Sequence, residues 1–200
     1  MELGSGTGIL GMTVSKLGHP ACVVLSDGDE KAVSLLQDNL TDPFNSIDSD
    51  KVKPCLLRWG YDKVADFTDW CRQAFDGKDN NNSSSCALRK EQIWKEQDAV
   101  KMDCIIAGDV MYKSELPPLF FATVDALLVS KGESESLSST GGTLWLCHVP
   151  RATVTHEVVM LAARDAGFAV ETVDLTTIPP VEGCPLEDSS RAKVYRITRQ

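Results

Sequence analysis

The sequence contains no Cys-x-x-Cys pair, no run of Lys and Arg, and no apolar stretch long enough to cross a bilayer. Its seven cysteines are odd in number and scattered, and its three histidines do not cluster with them, so neither a metal site nor a disulfide framework is read here. Cys22, Cys55, Cys104 and Cys147 fall in predicted strands, which predicts buried, reduced thiols and a reducing compartment, the cytoplasm and also the nucleus. A formal net charge of −9 with no basic run argues against a nucleic-acid backbone as main partner. Without a spanning segment no membrane partner is expected. Met1-Glu2 opens directly into a glycine-rich stretch, so no signal peptide is read. Two hundred residues suit one α/β domain covering 1–200, expected as a monomer.

What the chain does have is concentrated at its start, in Glu2-Leu3-Gly4-Ser5-Gly6-Thr7-Gly8. Glycines at alternate positions suit neither a helix nor a strand interior; they permit positive φ and a close approach of backbone to ligand. They stand between a stub of strand and the apolar-periodic segment Ile9 to Leu17, the layout of a nucleotide-binding crevice at the carboxyl end of a first parallel strand. Gly6, Gly8 and Gly11 also spell the dinucleotide fingerprint G-x-G-x-x-G, which keeps a nicotinamide-dependent oxidoreductase open. Glu2 tilts against it. A carboxylate there would repel a pyrophosphate and meet a cationic ligand amine.

Downstream, strands alternate with helices, which predicts a Rossmann-like α/β fold: a mostly parallel sheet with helices on both faces. Cys22 to Leu25 reads as a buried strand ending in Ser26-Asp27. A carboxylate about 20 residues past the glycines can accept from both ribose hydroxyls, while Asp29 is the better helix N-cap. Glu30 to Leu40 is an amphipathic helix, and Val52 to Trp59 a third strand whose Pro54 suggests a sheet edge. The indole of Trp59 suits either an adenine ring or the core. Asp62 to Phe75 reads as a helix, and residues 76–92 as an inserted, mobile loop. Met102 to Ala107 reads as a central strand. Ser114 is placed to cap a helix running to Val129 with Pro117 and Pro118 in its first turn. A strand at Thr143 to Cys147, a helix at Thr153 to Ala166, and strands at Phe168 to Leu175 and Lys193 to Thr198 complete the pattern, the last strand antiparallel.

A second chemical site lies at Gly108-Asp109-Val110-Met111-Tyr112, on the same rim as the glycines. Asp109 would attract a lysine ammonium, and the face of Tyr112 favours a cation beside it. A buried Asp–Tyr hydrogen bond that only fixes the loop is the other reading.

The segment ELGSGTG resembles motif I of class I S-adenosylmethionine (SAM)-dependent methyltransferases. Together with Asp27, Arg58-Trp59-Gly60 and Asp109-x-x-Tyr112, it resembles the seven-β-strand protein-lysine methyltransferases that carry a D-x-x-Y motif. Ser26 to Ala32 with Leu57-Arg58-Trp59 looks most like the calmodulin-lysine methyltransferase branch. The resemblance spans most of residues 2–175. It implies SAM as cofactor, held by Gly4, Ser5, Gly6, Asp27, Trp59 and Gly108 with Glu2 beside them. It also implies a target-amine pocket at Asp109 and Tyr112, with a protein substrate presenting a lysine. A methyltransferase for a small molecule and a non-catalytic SAM-binding module are the competing readings. The resembled family carries an N-terminal region before motif I, including part of the first strand. Here the N-terminus reads as truncated inside that strand, so weak SAM binding and little turnover are expected of the 200-residue form, and full activity of a longer one.

Overall fold

The computed structural model describes residues 1–18, 20–75, 100–130, 141–177 and 191–200. Alternate glycines end β1 (Glu2–Leu3) after two residues, and the chain turns straight into α1 (Ile9–Leu17). The apolar run that follows forms β2 (Val23–Asp27). Asp29 then caps α2 (Glu30–Thr41), its side chain accepting from the Lys31 N–H. β3 (Val52–Leu56), a 3-10 turn at Tyr61–Lys63 and α3 (Val64–Phe75) come next. The second half holds β4 (Cys104–Gly108), α4 (Leu116–Leu127), β5 (Thr143–His148), α5 (His156–Asp165), β6 (Phe168–Thr172) and β7 (Lys193–Arg199).

The seven strands form one sheet in the order β3-β2-β1-β4-β5-β7-β6. β7 runs antiparallel to both β5 and β6, and the pairs from β3 across to β5 are parallel. The expected mostly parallel α/β sheet with a reversed last strand is what the chain forms. Pro54 sits in β3 at the sheet edge, where its missing N–H spoils no inner ladder. Parity along β2 shows that both faces carry a layer: Val23 and Leu25 pack with Leu36 and Leu40 of α2, while Val24 joins the core on the opposite side. That larger core is built by Ile105 and Ala107 of β4, Leu144 and Leu146 of β5, Tyr195 and Ile197 of β7, and Phe120, Phe121, Val124 and Leu127 of α4. Chain order reverses between β1 and β4, so their carboxyl ends open the crevice where ligands gather in such sheets.

Several boundaries differ from the sequence reading. β3 stops at Leu56, short of Trp59, because the chain is turning by Gly60, whose φ is 133°. α4 starts after Glu115 with no side-chain cap, so Ser114 is not its cap; Pro117 in the first turn has no N–H to satisfy. α5 starts at His156, where Thr155 accepts from the Val158 N–H at 3.4 Å. The segments 76–92 and 131–140 lie outside the described residues. The expectation of four buried strand thiols needs correction. Cys55 is buried, but Cys147 is only half-buried, Cys104 is exposed on β4, and Cys22 precedes β2 and is exposed. Alternation along β4 and β5 explains the two strand cases: Ile105 and Leu144 face the larger core, leaving Cys104 and Trp145 on the other face, which α1 and α2 cover over β1 and β2. Burial pushes the Cys55 thiol up to about 12 and that of Cys71 higher still, which keeps both protonated.

Candidate active site

The glycine loop is shaped by three left-handed residues, Gly4, Gly6 and Gly8, with φ of 71°, 53° and 83°. Their surroundings differ. A Cβ at Gly8 would meet Leu36 at 2.5 Å, so that residue seats the loop on α2. A Cβ at Gly6 would meet nothing within 4 Å, so Gly6 faces open space. A Cβ at Gly4 would lie 2.6 Å from Val110 and 3.5 Å from the Trp59 indole. The loop after β1, the indole after β3 and the Asp109–Tyr112 segment after β4 therefore meet at one point, which sequence separation alone would not reveal.

Main-chain bonds hold this arrangement. Ser5 donates its N–H to Ser26 O at 2.8 Å and is buried, and Gly8 N–H donates to Ser5 O at 2.8 Å. Asp27 ends β2 with both oxygens on amides: Oδ2 accepts from Gly6 N–H at 2.9 Å and Oδ1 from Asp29 N–H at 3.0 Å. A carboxylate has about four acceptor directions, so each oxygen keeps capacity for a ligand hydroxyl. Asp27 is half-buried at the rim.

Glu2 is placed differently from the sequence expectation. Only 3% exposed, its carboxylate lies beneath the loop, and Oε2 accepts from Gly11 N–H at 3.0 Å. Parity on β1 turns it toward α1, so a direct meeting with a ligand amine is not what this geometry offers. Burial pushes its pKa above the ordinary carboxyl value, with the Gly11 amide opposing. Gly11 itself packs α1 onto the sheet, since a Cβ there would come within 2.1 Å of Leu25. That use of the third glycine is common to dinucleotide and SAM folds and separates neither.

Trp59 is partly buried and edge-on to Phe120 of α4, centroids 5.1 Å apart at 78°. The following residue is tied to the same helix, Gly60 N–H donating to the buried Thr123 Oγ1 at 2.8 Å. The indole thus packs on the core and borders Gly4 at the same time. Gly108 closes β4 exposed, with Leu10 the nearest neighbour of its Cβ position at 3.7 Å.

Along Asp109-Val110-Met111-Tyr112, the inner pair is buried and the outer pair exposed. Tyr112 is 61% exposed and Asp109 bonds elsewhere, so no Asp–Tyr hydrogen bond fixes this loop. Asp109 has φ 51°, unusual for a residue with a side chain, and its N–H donates to Cys147 O at 2.9 Å. Its carboxylate is ion-paired to Arg151 from the loop after β5. Arg151 was not among the sequence candidates. The available signal was topological: in a parallel sheet, the loop leaving β5 borders the loop leaving β4. A separate surface cleft, lined by Ser15, Lys16, Pro20, Ile47, Asp48 and Lys51, lies at the amino-terminal ends of β2 and β3, the wrong end for this chemistry.

Residues 1–76 match the model of a lysine methyltransferase family. That stretch holds the glycine loop, Asp27 and Trp59, and stops short of Asp109. Among curated proteins, a protein-lysine N-methyltransferase EFM3 from Chaetomium thermophilum is 28% identical over 172 residues, covering 85% of this chain and 40% of its own length. The chain thus spans about two-fifths of that relative. Among solved structures, a TehB-like SAM-dependent methyltransferase from Corynebacterium glutamicum superposes with a TM-score of 0.54 at 15% identity, over 100% of this chain and 78% of its own. Magnesium protoporphyrin IX methyltransferase from Synechocystis, with bound SAM, gives 0.51 at 16% identity over 100% and 68%. Likeness at this identity establishes the Rossmann-like fold for the chain.

Proposed function

We propose that this chain binds SAM in the crevice between β1 and β4 and transfers its methyl to the side-chain amine of a protein lysine. The observation that carries the reading is the meeting of Gly4, Trp59 and Val110, which sets the glycine loop beside Asp109 and Tyr112. The family match over residues 1–76 and the name of the curated relative support the lysine as acceptor.

The residues present fit SAM. Open space above Gly6 and the left-handed turn let backbone approach a ligand. Asp27, fixed by two amides, presents spare acceptor directions to a ribose diol. Trp59 is held by Phe120 with its indole beside Gly4, where it can border an aromatic base. Ser5 and Gly108 line the two strand ends, while Glu2 supports the loop from below through Gly11. When bound, SAM supplies a methyl already activated by positive sulfur. The chain's residues then have little bond-making to do. Most of the rate comes from holding the amine nitrogen in line at contact distance. Asp109 and Tyr112 stand where that amine would enter, the carboxylate accepting an N–H and the exposed ring face favouring an alkylamine.

The test has two stages. Calorimetry with SAM should show binding, and Asp27→Ala should weaken it by ~2 kcal/mol, as the loss of a charge-assisted hydrogen bond suggests. Labelled SAM with fractionated extract should then yield methyllysine in acid hydrolysates. Label confined to small molecules would move the function to a small-molecule methyltransferase. SAM binding with no label transferred to any fraction would make the chain a binding module.

A further inference from the structure

The ion pair between Asp109 and Arg151 has no part in the chemistry derived so far. The two residues leave neighbouring strands whose ends are level, Gly108 pairing with Cys147. Arg151 Nη2 meets Asp109 Oδ2, and Oδ1 has no hydrogen-bond partner among the described residues. Both backbones are fixed from behind. Asp109 N–H is held by Cys147 O, and Arg151 exchanges main-chain hydrogen bonds with Val154 at 3.0 and 3.3 Å. Val154 is fully buried, and its carbonyl also meets His148 Nε2 at 3.2 Å. The charged ends nevertheless remain half-exposed, 45% for Arg151 and 39% for Asp109, so a ligand can reach them.

We propose that Arg151 is a positioning residue of the amine pocket, one that cancels the charge of Asp109 so that the target lysine is held in its neutral, reactive form; this rests on the methyl-transfer reading above. An ammonium has no electron pair with which to take a methyl. A lone carboxylate beside the amine would raise its pKa and keep it protonated. The guanidinium on Oδ2 removes most of that pull at contact range and leaves Oδ1 to accept one N–H of the neutral amine. The amine's electron pair then forms the new N–C bond as the C–S bond breaks, and the surplus proton on nitrogen leaves to water. The planar, permanently charged guanidinium suits the task.

Among the described residues, the titratable groups near the pair include Tyr112, Cys147, His148, Lys113 and Arg191. Burial lowers the His148 pKa, and burial aided by the Asp109 charge raises that of the Cys147 thiol, so both stay neutral near pH 7. Lys113 lies 6.0 Å from the Tyr112 ring and Arg191 donates to Pro150 O at 3.4 Å, so neither replaces Arg151 on the carboxylate.

The test uses n-butylammonium chloride as the lysine mimic, titrated at pH 7 against the whole chain and followed by its NMR shifts. Removing the guanidinium in Arg151→Met should tighten n-butylammonium about tenfold, since one pK unit is a factor of ten. Arg151→Gln, which keeps an N–H for Asp109 but not the charge, should tighten it likewise. Arg151→Lys should restore wild-type affinity, and Asp109→Asn should abolish binding. In methyl transfer, the half-maximum of the alkaline rise should move up by about one pH unit in the Met and Gln variants only. Equal n-butylammonium affinity in wild type, Met and Gln variants that keep their melting transitions overturns the proposal. If the affinity series holds but the wild type yields no methyllysine, the charge-balanced pocket stands and the lysine methyltransferase reading falls.

Discussion

At the scale of single residues, the site divides into what a local pattern announces and what only the fold assembles. Asp29 was legible as the cap of α2 because it acts on an amide within its own turn. Arg151 was not legible, because it meets Asp109 across 42 residues through the adjacency of β4 and β5. The side on which Glu2 points was also not legible, since a two-residue strand carries no visible alternation. Its burial yields a prediction with a definite sign. A carboxyl whose folded pKa is raised contributes stability that is fully present below its unfolded value near 4.5 and is lost as pH rises through the folded value. Glu2→Gln, which keeps an oxygen for the Gly11 amide, removes that loss. The melting-temperature difference, variant minus wild type, should grow from pH 4 to pH 7; a difference independent of pH would mean that Glu2 is not buried in its charged form. Asp109 makes a complementary case. Asp109→Ala should cut methyl transfer by about 10²-fold, the scale of a misplaced reactant, while SAM affinity holds. Equal loss of both would make Asp109 a structural residue.

At the scale of elements, α1 and α2 were legible almost to the residue because their ends carry strong punctuation, glycines before and after α1 and the Asp29 cap before α2. α4 and α5 were shifted by main-chain detail. The turn closed between Arg151 and Val154 delays α5 past Thr153 and hands the cap to Thr155. Thr155→Ala should therefore cost about 1 kcal/mol in urea unfolding, the usual worth of a cap, while Thr153→Ala should cost little. The seat of α1 is less tolerant. At Gly11 an added methyl meets Leu25, fully buried, and the Glu2 carboxylate at 2.6 Å. Gly11→Ala should destabilise by roughly 1–3 kcal/mol through overpacking, despite the better helix propensity of alanine. A stabilised Gly11→Ala variant would show that the helix and strand can part at no cost.

At the scale of the whole molecule, the fold class follows from the alternation of strands and helices, but the order of the sheet does not. The place of β7 between β5 and β6 and the exposure of one face at Trp145 depend on which elements lie next to each other, information that periodicity does not contain. One buried residue ties this architecture to the site. Phe120 is fully buried in α4, and its ring stands edge-on both to Phe121, 5.3 Å away in the core, and to Trp59 beside the glycine loop. The core thus sets the attitude of an indole proposed to border the cofactor. Phe120→Ala should lower stability by about 3–5 kcal/mol, the range for loss of a buried aromatic side chain. Because Trp59 loses its edge contact, SAM affinity should fall as well, whereas Phe168→Ala, which removes a fully buried ring from the far end of the sheet, should lower stability alone. Chemical denaturation followed by Trp fluorescence, with SAM calorimetry on the folded variants, separates the two effects. If Phe120→Ala and Phe168→Ala leave SAM affinity equally unchanged, the indole is core packing only and the base must be held elsewhere.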